Sequence, residues 1–306
     1  MSMEAKLALF GGVIPGVISG VALLLAWWLH AKKLGSRDQT TTPDRASKGP
    51  VWLAPPLLAI AYALGDYSKN NLPQLWPDSN NYRYVHAVGL IALLGLLHAL
   101  VRLPLWIAYP IRAAVMAGVF WMLVEGYHPH AVPSAQFYGW MVATALLGAG
   151  VMTAAEIGAD QLRKGLAPAV CLIICAAAGP VLLLSNLSYG MHGIIPMIAF
   201  CSAALIVGLI ANTFRLDRGG VTVICGVVIV LCIGAGFQNE VVSPPALILL
   251  AISPTALLLA VPLVKRRWWV RLVAVGAAAA VLVGASLLTV QLAQPEPDPD
   301  DPYADY

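Results

Sequence analysis

The chain has 306 residues, of which 59% are hydrophobic and 11% are charged, and its mean hydropathy is +0.79. Soluble domains carry about 25% charged residues, so this composition excludes a water-soluble globular protein and predicts an all-α fold, a polytopic bundle of transmembrane helices. The formal net charge is +3, and the basic residues are scattered through short connections, which excludes a nucleic-acid-binding surface.

Ten segments are apolar enough to be membrane spans, since a helix needs about 20 residues to cross about 30 Å of hydrocarbon. The second contains Pro55 and Pro56, and the fourth contains Pro110 and could begin after a break, so nine spans is the alternative count. The first segment is too long for the apolar region of a signal peptide and is expected to be retained. The ten segments cover about residues 7–30, 51–66, 84–101, 105–125, 137–158, 166–187, 193–214, 220–237, 243–264 and 271–293.

The distribution of lysine and arginine predicts the orientation. Fifteen of the 18 basic residues lie in or beside the connections that follow odd-numbered segments, and the other three are Lys6, Lys69 and Arg83. The positive-inside rule places the basic connections in the cytoplasm, so both termini are expected outside a plasma (inner) membrane. Residues 1–293 would form the bundle, and the acidic, proline-rich residues 294–306 would form a disordered tail.

Small residues predict where helices approach closely. Gly12, Gly16 and Gly20 lie on one face of the first span, where they would let another backbone pack against it. That backbone could belong to the same chain, which we favour, or to a membrane protein partner. All five cysteines lie in apolar segments without metal-type spacing, and no cofactor motif is present, so neither a metal nor a cofactor is expected.

Three polar residues within the spans are candidates for binding a solute near the membrane midplane, namely Arg112, Asn186 and Asn212. The side chain of Arg112 should face the bundle or extend to the interface. We favour extension to the interface, because Arg112 lies within about two helical turns of the predicted cytoplasmic start of its span. Glu156 and Asp160 are expected to form an interfacial charge cluster with the neighbouring basic residues 163 and 164. His98 is expected to share a surface-proximal helix face with Arg102.

A second group of candidates falls on the predicted outer side of the membrane. Histidines and carboxylates at one level could act as general acid and base towards a lipid headgroup, beneath the loop of residues 66–84. Their spacing fits no catalytic or metal motif. The candidate catalytic residues are Glu125, His128, His130, His192 and Glu240.

Three functions remain open from the sequence. The first is a transporter or permease for a small solute, favoured by many spans, many prolines within them and no room for a soluble catalytic domain. The second is a non-catalytic membrane subunit or scaffold of a larger complex, and the third is a membrane enzyme with its site on the outer face. The permease hypothesis predicts a polar cavity near the midplane.

Overall fold

The regular structure of this chain is helical throughout the part that the computed structural model describes. That part comprises residues 9–35, 50–70, 83–101, 103–128, 132–162, 166–184, 188–210, 216, 218–238 and 244–293. Ten α-helices within it coincide with the ten predicted segments, so the all-α prediction is confirmed for these residues. They are α1 (Ile14–Gly35), α2 (Ala54–Asn70), α3 (Tyr84–Leu100), α4 (Leu105–Val124), α5 (Ser134–Asp160), α6 (Leu166–Leu184), α7 (Ser188–Ile210), α8 (Arg218–Gln238), α9 (Pro244–Ile252) and α10 (Trp268–Ala293).

Helix length and composition are consistent with a membrane protein. Four helical stretches are long and apolar enough to cross a bilayer, and the other apolar helices are shorter. Large apolar side chains cover the outside of the bundle: Trp106 is 76% exposed and Leu292 is 77% exposed. Extended apolar surfaces of this kind mark contact with membrane or partner. The four long stretches are Leu105–Tyr127, Ser134–Asp160, Arg218–Phe237 and Trp268–Ala293.

Helix α8 stands at the centre of the bundle. Every residue from Val221 to Ala235 is buried, because α8 packs against α2 through α7 and against α9. An apolar helix without a polar face can be surrounded in this way. α8 thus lies along the axis of the bundle, and the helices around it present apolar side chains on the outside.

Glycines of α8 form three notches on the side that faces α3. A Cβ added at Gly219, Gly226 or Gly234 would collide with Gly95, Ile91 or Tyr84 respectively. These three α3 residues run in the opposite chain direction to the glycines, so the two helices pack antiparallel. Small residues let helix backbones approach closely in a membrane, where van der Waals packing and hydrogen bonds hold helices together.

The glycine stripe of the first helix packs inside the chain. Gly12, Gly16 and Gly20 are buried, and a Cβ on them would collide with Ile195, Ala199 and Ala203 of α7 respectively. Both sets recur every four residues, as in ridge-into-groove packing. α7 therefore occupies this face, and another protein could use the same glycines only by displacing it.

Helix α9 is the first half of a longer helical segment. It continues directly as a 3-10 helix over Ser253–Ala260, and Pro254 has no N–H with which to bond the carbonyl of Leu250. The hydroxyl of Ser253 donates to that carbonyl oxygen instead, at 2.7 Å. Since a 3-10 helix rises about 2.0 Å per residue, the 17 residues of α9 and this segment extend about 30 Å, which is the thickness of the hydrocarbon core.

Candidate functional site

Polar and charged side chains from four helices meet inside one end of the bundle. The core of this ionic cluster is an ion pair between Arg112 of α4 and Glu156 of α5. The Arg112 side chain is 1% exposed and that of Glu156 is 6% exposed. Ionisable residues this deep in a membrane bundle are rare, and they commonly mark a functional site. The ionic cluster consists of His98, Arg112, Thr153, Glu156, Asp160 and Arg218.

The guanidinium of Arg112 joins three helices. Its Nη1 donates to Thr153 Oγ1 at 2.6 Å, and its Nη2 donates to the Glu156 carboxylate and to His98 Nδ1 at 2.8 Å. The Thr153 hydroxyl in turn donates a hydrogen bond to the carbonyl oxygen of Ala149 at 2.7 Å. Because a guanidinium can only donate, His98 Nδ1 must accept, so the imidazole is neutral and carries its proton on Nε2.

Glu156 is shared between two arginines. One carboxylate oxygen pairs with Arg112, and the other lies 3.1 Å from Nε of Arg218 at the start of α8. Arg218 also pairs with Asp160, one turn beyond Glu156, at 2.6 Å. Two positive and two negative charges therefore balance around a neutral His98. This balance offsets much of the desolvation penalty, which would be several kcal/mol for each isolated ion.

The ionic cluster runs from the end of the bundle into its interior. The side chains of Arg218 and Asp160 are 35% and 33% exposed, whereas Glu156 and Arg112 behind them are almost fully buried. Arg112 lies about 10 Å along α4 from the first residue of that helix. The cluster is therefore a continuous chain of hydrogen bonds and ion pairs that starts at a partly exposed rim.

Two donors in the buried part of the cluster remain unused. His98 Nε2 and Arg112 Nε have no hydrogen-bond partner among the described residues. A buried N–H group without an acceptor is unfavourable by about 1–3 kcal/mol, and most such groups in proteins are satisfied by protein or by water. Both groups would be satisfied by an oxygen acceptor, such as a water molecule or an anion.

The expectation that Arg112 extends to the interface is wrong, because the carboxylate of Glu156 neutralises it inside the bundle. His98 bonds Arg112, while its expected neighbour Arg102 lies outside the described residues. Of the expected interfacial cluster, only Asp160 is partly exposed, and residues 163 and 164 also lie outside the described part. The partners could not be paired from the sequence, since Arg112 and Glu156 are 44 residues apart.

The other two candidate solute-binding residues stay predictions. Asn186 and Asn212 lie outside the described residues. A cavity of about 290 Å³ lies between α5, α8 and α9, but Thr144 supplies the one hydroxyl in its lining. It is therefore not the polar midplane cavity that the permease hypothesis predicts.

Two of the predicted outer candidates are engaged with separate partners. Glu125 pairs with Arg83 at 3.0 Å, and His128 Nε2 lies 3.0 Å from the hydroxyl of Ser134. The His128 ring also packs on Phe137, with centroids 4.8 Å apart. His192 belongs to α7, but its side chain is outside the described part, as are all of His130 and Glu240.

Replacing Glu125 by glutamine is expected to lower the free energy of unfolding by about 1 kcal/mol. Glu125 is 45% exposed, so solvent screens the pair, and the buried Arg83, 9% exposed, keeps the glutamine amide oxygen and the carbonyl oxygen of Met122 as acceptors. Thermal unfolding of the purified protein in detergent would measure this. A loss of several kcal/mol would show that the pair is a structural anchor of this end of the bundle.

Comparison with protein-family models, with curated proteins and with solved structures finds no match for this chain. Within the described residues, no group of three or more His, Cys, Asp or Glu side chains is arranged to hold a metal ion. The ionic cluster is accordingly the arrangement on which a functional assignment can be built.

Proposed function

We propose that this protein is a multi-pass permease of the plasma (inner) membrane, with ten spans and both termini outside, in which the ionic cluster is a gate for a small anionic solute. The observation that carries the proposal is the sharing of Glu156 between Arg112 and Arg218, which come from different helices. One carboxylate thereby holds α4, α5 and α8 together at the end predicted to face the cytoplasm.

A solute anion can open such a gate by exchange. A carboxylate or phosphate group makes the same charge-assisted hydrogen bonds to a guanidinium as Glu156 does, so it can replace Glu156 on one arginine without leaving a buried charge alone. The unused N–H groups of His98 and Arg112 supply further donors. The guanidinium groups and the unused N–H donors both favour an anion over a cation.

The rim of the ionic cluster provides the access that this exchange needs. Arg218 and Asp160 are each about one-third exposed, so an anion arriving from the end of the bundle meets Arg218 first and Arg112 afterwards. Binding can shift the bundle towards an open state only by as much as the anion prefers that state. In the open state that we propose, Glu156 has left Arg112, and α4 and α5 have separated. An anion prefers this state because Arg112 is then free to pair with it.

The proposal is tested by flux in proteoliposomes. Purified protein would be reconstituted and challenged with gradients of chloride, phosphate, sulphate, acetate and succinate, with currents recorded on a solid-supported membrane. Arg112→Lys keeps the charge but removes the planar guanidinium with its paired donors. Arg83→Lys makes the same change in the pair between Arg83 and Glu125. A lost charge-assisted hydrogen bond contributes about 1.5–3 kcal/mol, so we expect Arg112→Lys to lower anion flux about tenfold or more.

The control Arg83→Lys should stay within about twofold of the unmodified protein, since Arg83 lies outside the ionic cluster, at the other end of α3, and lysine keeps the positive charge that pairs with Glu125. Arg218→Lys serves as a second cluster variant if Arg112→Lys does not fold. Equal flux from all three variants at equal melting temperature would refute the gate. Absence of flux for every anion, together with stoichiometric co-purification of another protein, would instead support a subunit of a larger complex.

A further inference from the structure

The cavity between α5, α8 and α9 is an apolar groove with a defined shape. α5 touches the 3-10 segment Ser253–Ala260 so closely that a Cβ on Gly158 would collide with the backbone of Leu257. The 3-10 segment packs extensively against α5, whereas the α-helical part, Pro244–Ile252, makes only sparse contact with it. The two elements therefore diverge from Gly158 towards the Ser134 end of α5, and α8 forms the back wall of the wedge between them.

The lining of the groove is suited to a hydrocarbon chain. Small residues on its walls, among them Ala143, Gly236 and Ala251, leave the width open. Among the described lining residues, the polar side-chain groups are the Thr144 hydroxyl, the Trp140 indole N–H and the weakly polar Cys232 thiol, which come from separate positions, whereas one buried water needs two to four polar partners around it. An apolar occupant is therefore favoured over water in these 290 Å³.

The length of the groove matches one leaflet of a bilayer. It extends from Trp140 to Val151 along α5 and from Pro244 to Ile252 along α9, which corresponds to about 12–16 Å at 1.5 Å per residue. Half of a hydrocarbon core of about 30 Å is about 15 Å. The mouth carries two aromatic rings, Trp140 and Phe237, with centroids 6.4 Å apart, and aromatic rings are enriched at the level of lipid headgroups.

The groove is also open sideways to the bilayer. Leu147 and Ile248, which belong to its lining, are 50% and 41% exposed, so an occupant can enter laterally from the lipid. We infer that the groove binds one acyl chain of a phospholipid from the leaflet at the Ser134 end of α5, with the headgroup at the level of Trp140. This inference does not depend on the proposed anion transport.

A photoactivatable lipid tests the inference on the full chain. The protein would be reconstituted in phosphatidylcholine vesicles that contain a phosphatidylcholine with a diazirine midway along one acyl chain. After illumination, labelled peptides would be quantified by mass spectrometry. We expect labelling concentrated on groove residues such as Leu147, Val151 and Ile248, above the level on other exposed apolar side chains such as Val281.

Filling the groove supplies the matched comparison. Ala143→Phe places a ring in the groove, while Ala280→Phe places the same ring on the exposed surface of α10. Each buried methylene contributes about fourfold to partitioning, so excluding two of them should lower groove labelling at least about tenfold in Ala143→Phe. Ala280→Phe should leave groove labelling unchanged.

Ala251→Phe fills the groove from the opposite wall and replaces Ala143→Phe if that variant does not fold. Uniform labelling of all exposed apolar surfaces, or groove labelling that persists in a folded groove-filling variant, would overturn the inference. Loss of anion flux in the Arg112→Lys variant with unchanged groove labelling would show that lipid binding in the groove is independent of anion gating by the ionic cluster.

Discussion

Replacing Glu156 by leucine is expected to destabilise the fold by about 3–5 kcal/mol, because it leaves a buried arginine without a counter-charge. Arg112 would keep only the neutral partners Thr153 and His98, whereas Arg218 would keep Asp160. Unfolding in mixed micelles of increasing denaturing detergent, or thermal unfolding in dodecyl maltoside, would measure the loss.

The double variant Arg112→Leu with Glu156→Leu should recover most of this stability, since removing both partners of a buried pair is often close to neutral. Arg112→Leu alone should be milder than Glu156→Leu, because Glu156 still has Arg218. At the partly exposed rim, Asp160→Asn should change stability by less than about 1 kcal/mol. Equal losses for Glu156→Leu and the double variant would mean that packing, and not charge, holds this region.

Replacing Gly158 by valine is expected to have a comparably large effect, because the added atoms would overlap backbone atoms of Leu257 that no rotamer change can remove. Overpacking of this kind is unfavourable by about 1–3 kcal/mol and sometimes by more. Separation of α5 from the 3-10 segment would be the structural response. The measurement is the melting temperature, together with the yield of monodisperse protein.

Gly150 provides the control on the same helix, since nothing in the described part of the chain lies within 4 Å of a Cβ placed there. Gly150→Val should leave stability unchanged or raise it by up to about 1 kcal/mol, through better helix propensity than glycine. If Gly158→Val and Gly150→Val melted at the same temperature, the close approach at Leu257 would not be a stabilising contact.

The helices were predictable because the physics that forms them is local. Apolar runs of suitable length define each one, and the positions of the ten α-helices follow those runs closely. The stripe at Gly12, Gly16 and Gly20 was likewise interpretable, since small residues four apart favour a close neighbour whatever its identity. The Ser253–Pro254 pair carried a signal for the change in winding, because a proline within a span frees a carbonyl that must be satisfied.

The ionic cluster was not predictable, because its geometry depends on which helices are neighbours. Hydrophobic spans give each helix a depth but no lateral position, so nothing in the sequence places α5 beside α4 at Arg112. The sequence did place His98, Arg112, Glu156 and Arg218 near helix ends on one predicted side of the membrane. Only the packing of α3, α4, α5 and α8 turns that shared level into direct contact.

The antiparallel contact between α8 and α3 has a consequence for how α8 is oriented. A helix that is apolar all round and enclosed by protein gains nothing from turning one face towards water or lipid, so burial alone leaves its azimuth undetermined. The glycine notches at Gly219, Gly226 and Gly234 fit α3 at one angle of rotation, and Arg218 fixes the same angle through Asp160. Together these contacts fix the rotation of α8 about its own axis. Any rotation would have to move Tyr84 and Ile91 out of their notches and break the ion pair between Arg218 and Asp160 in the same movement.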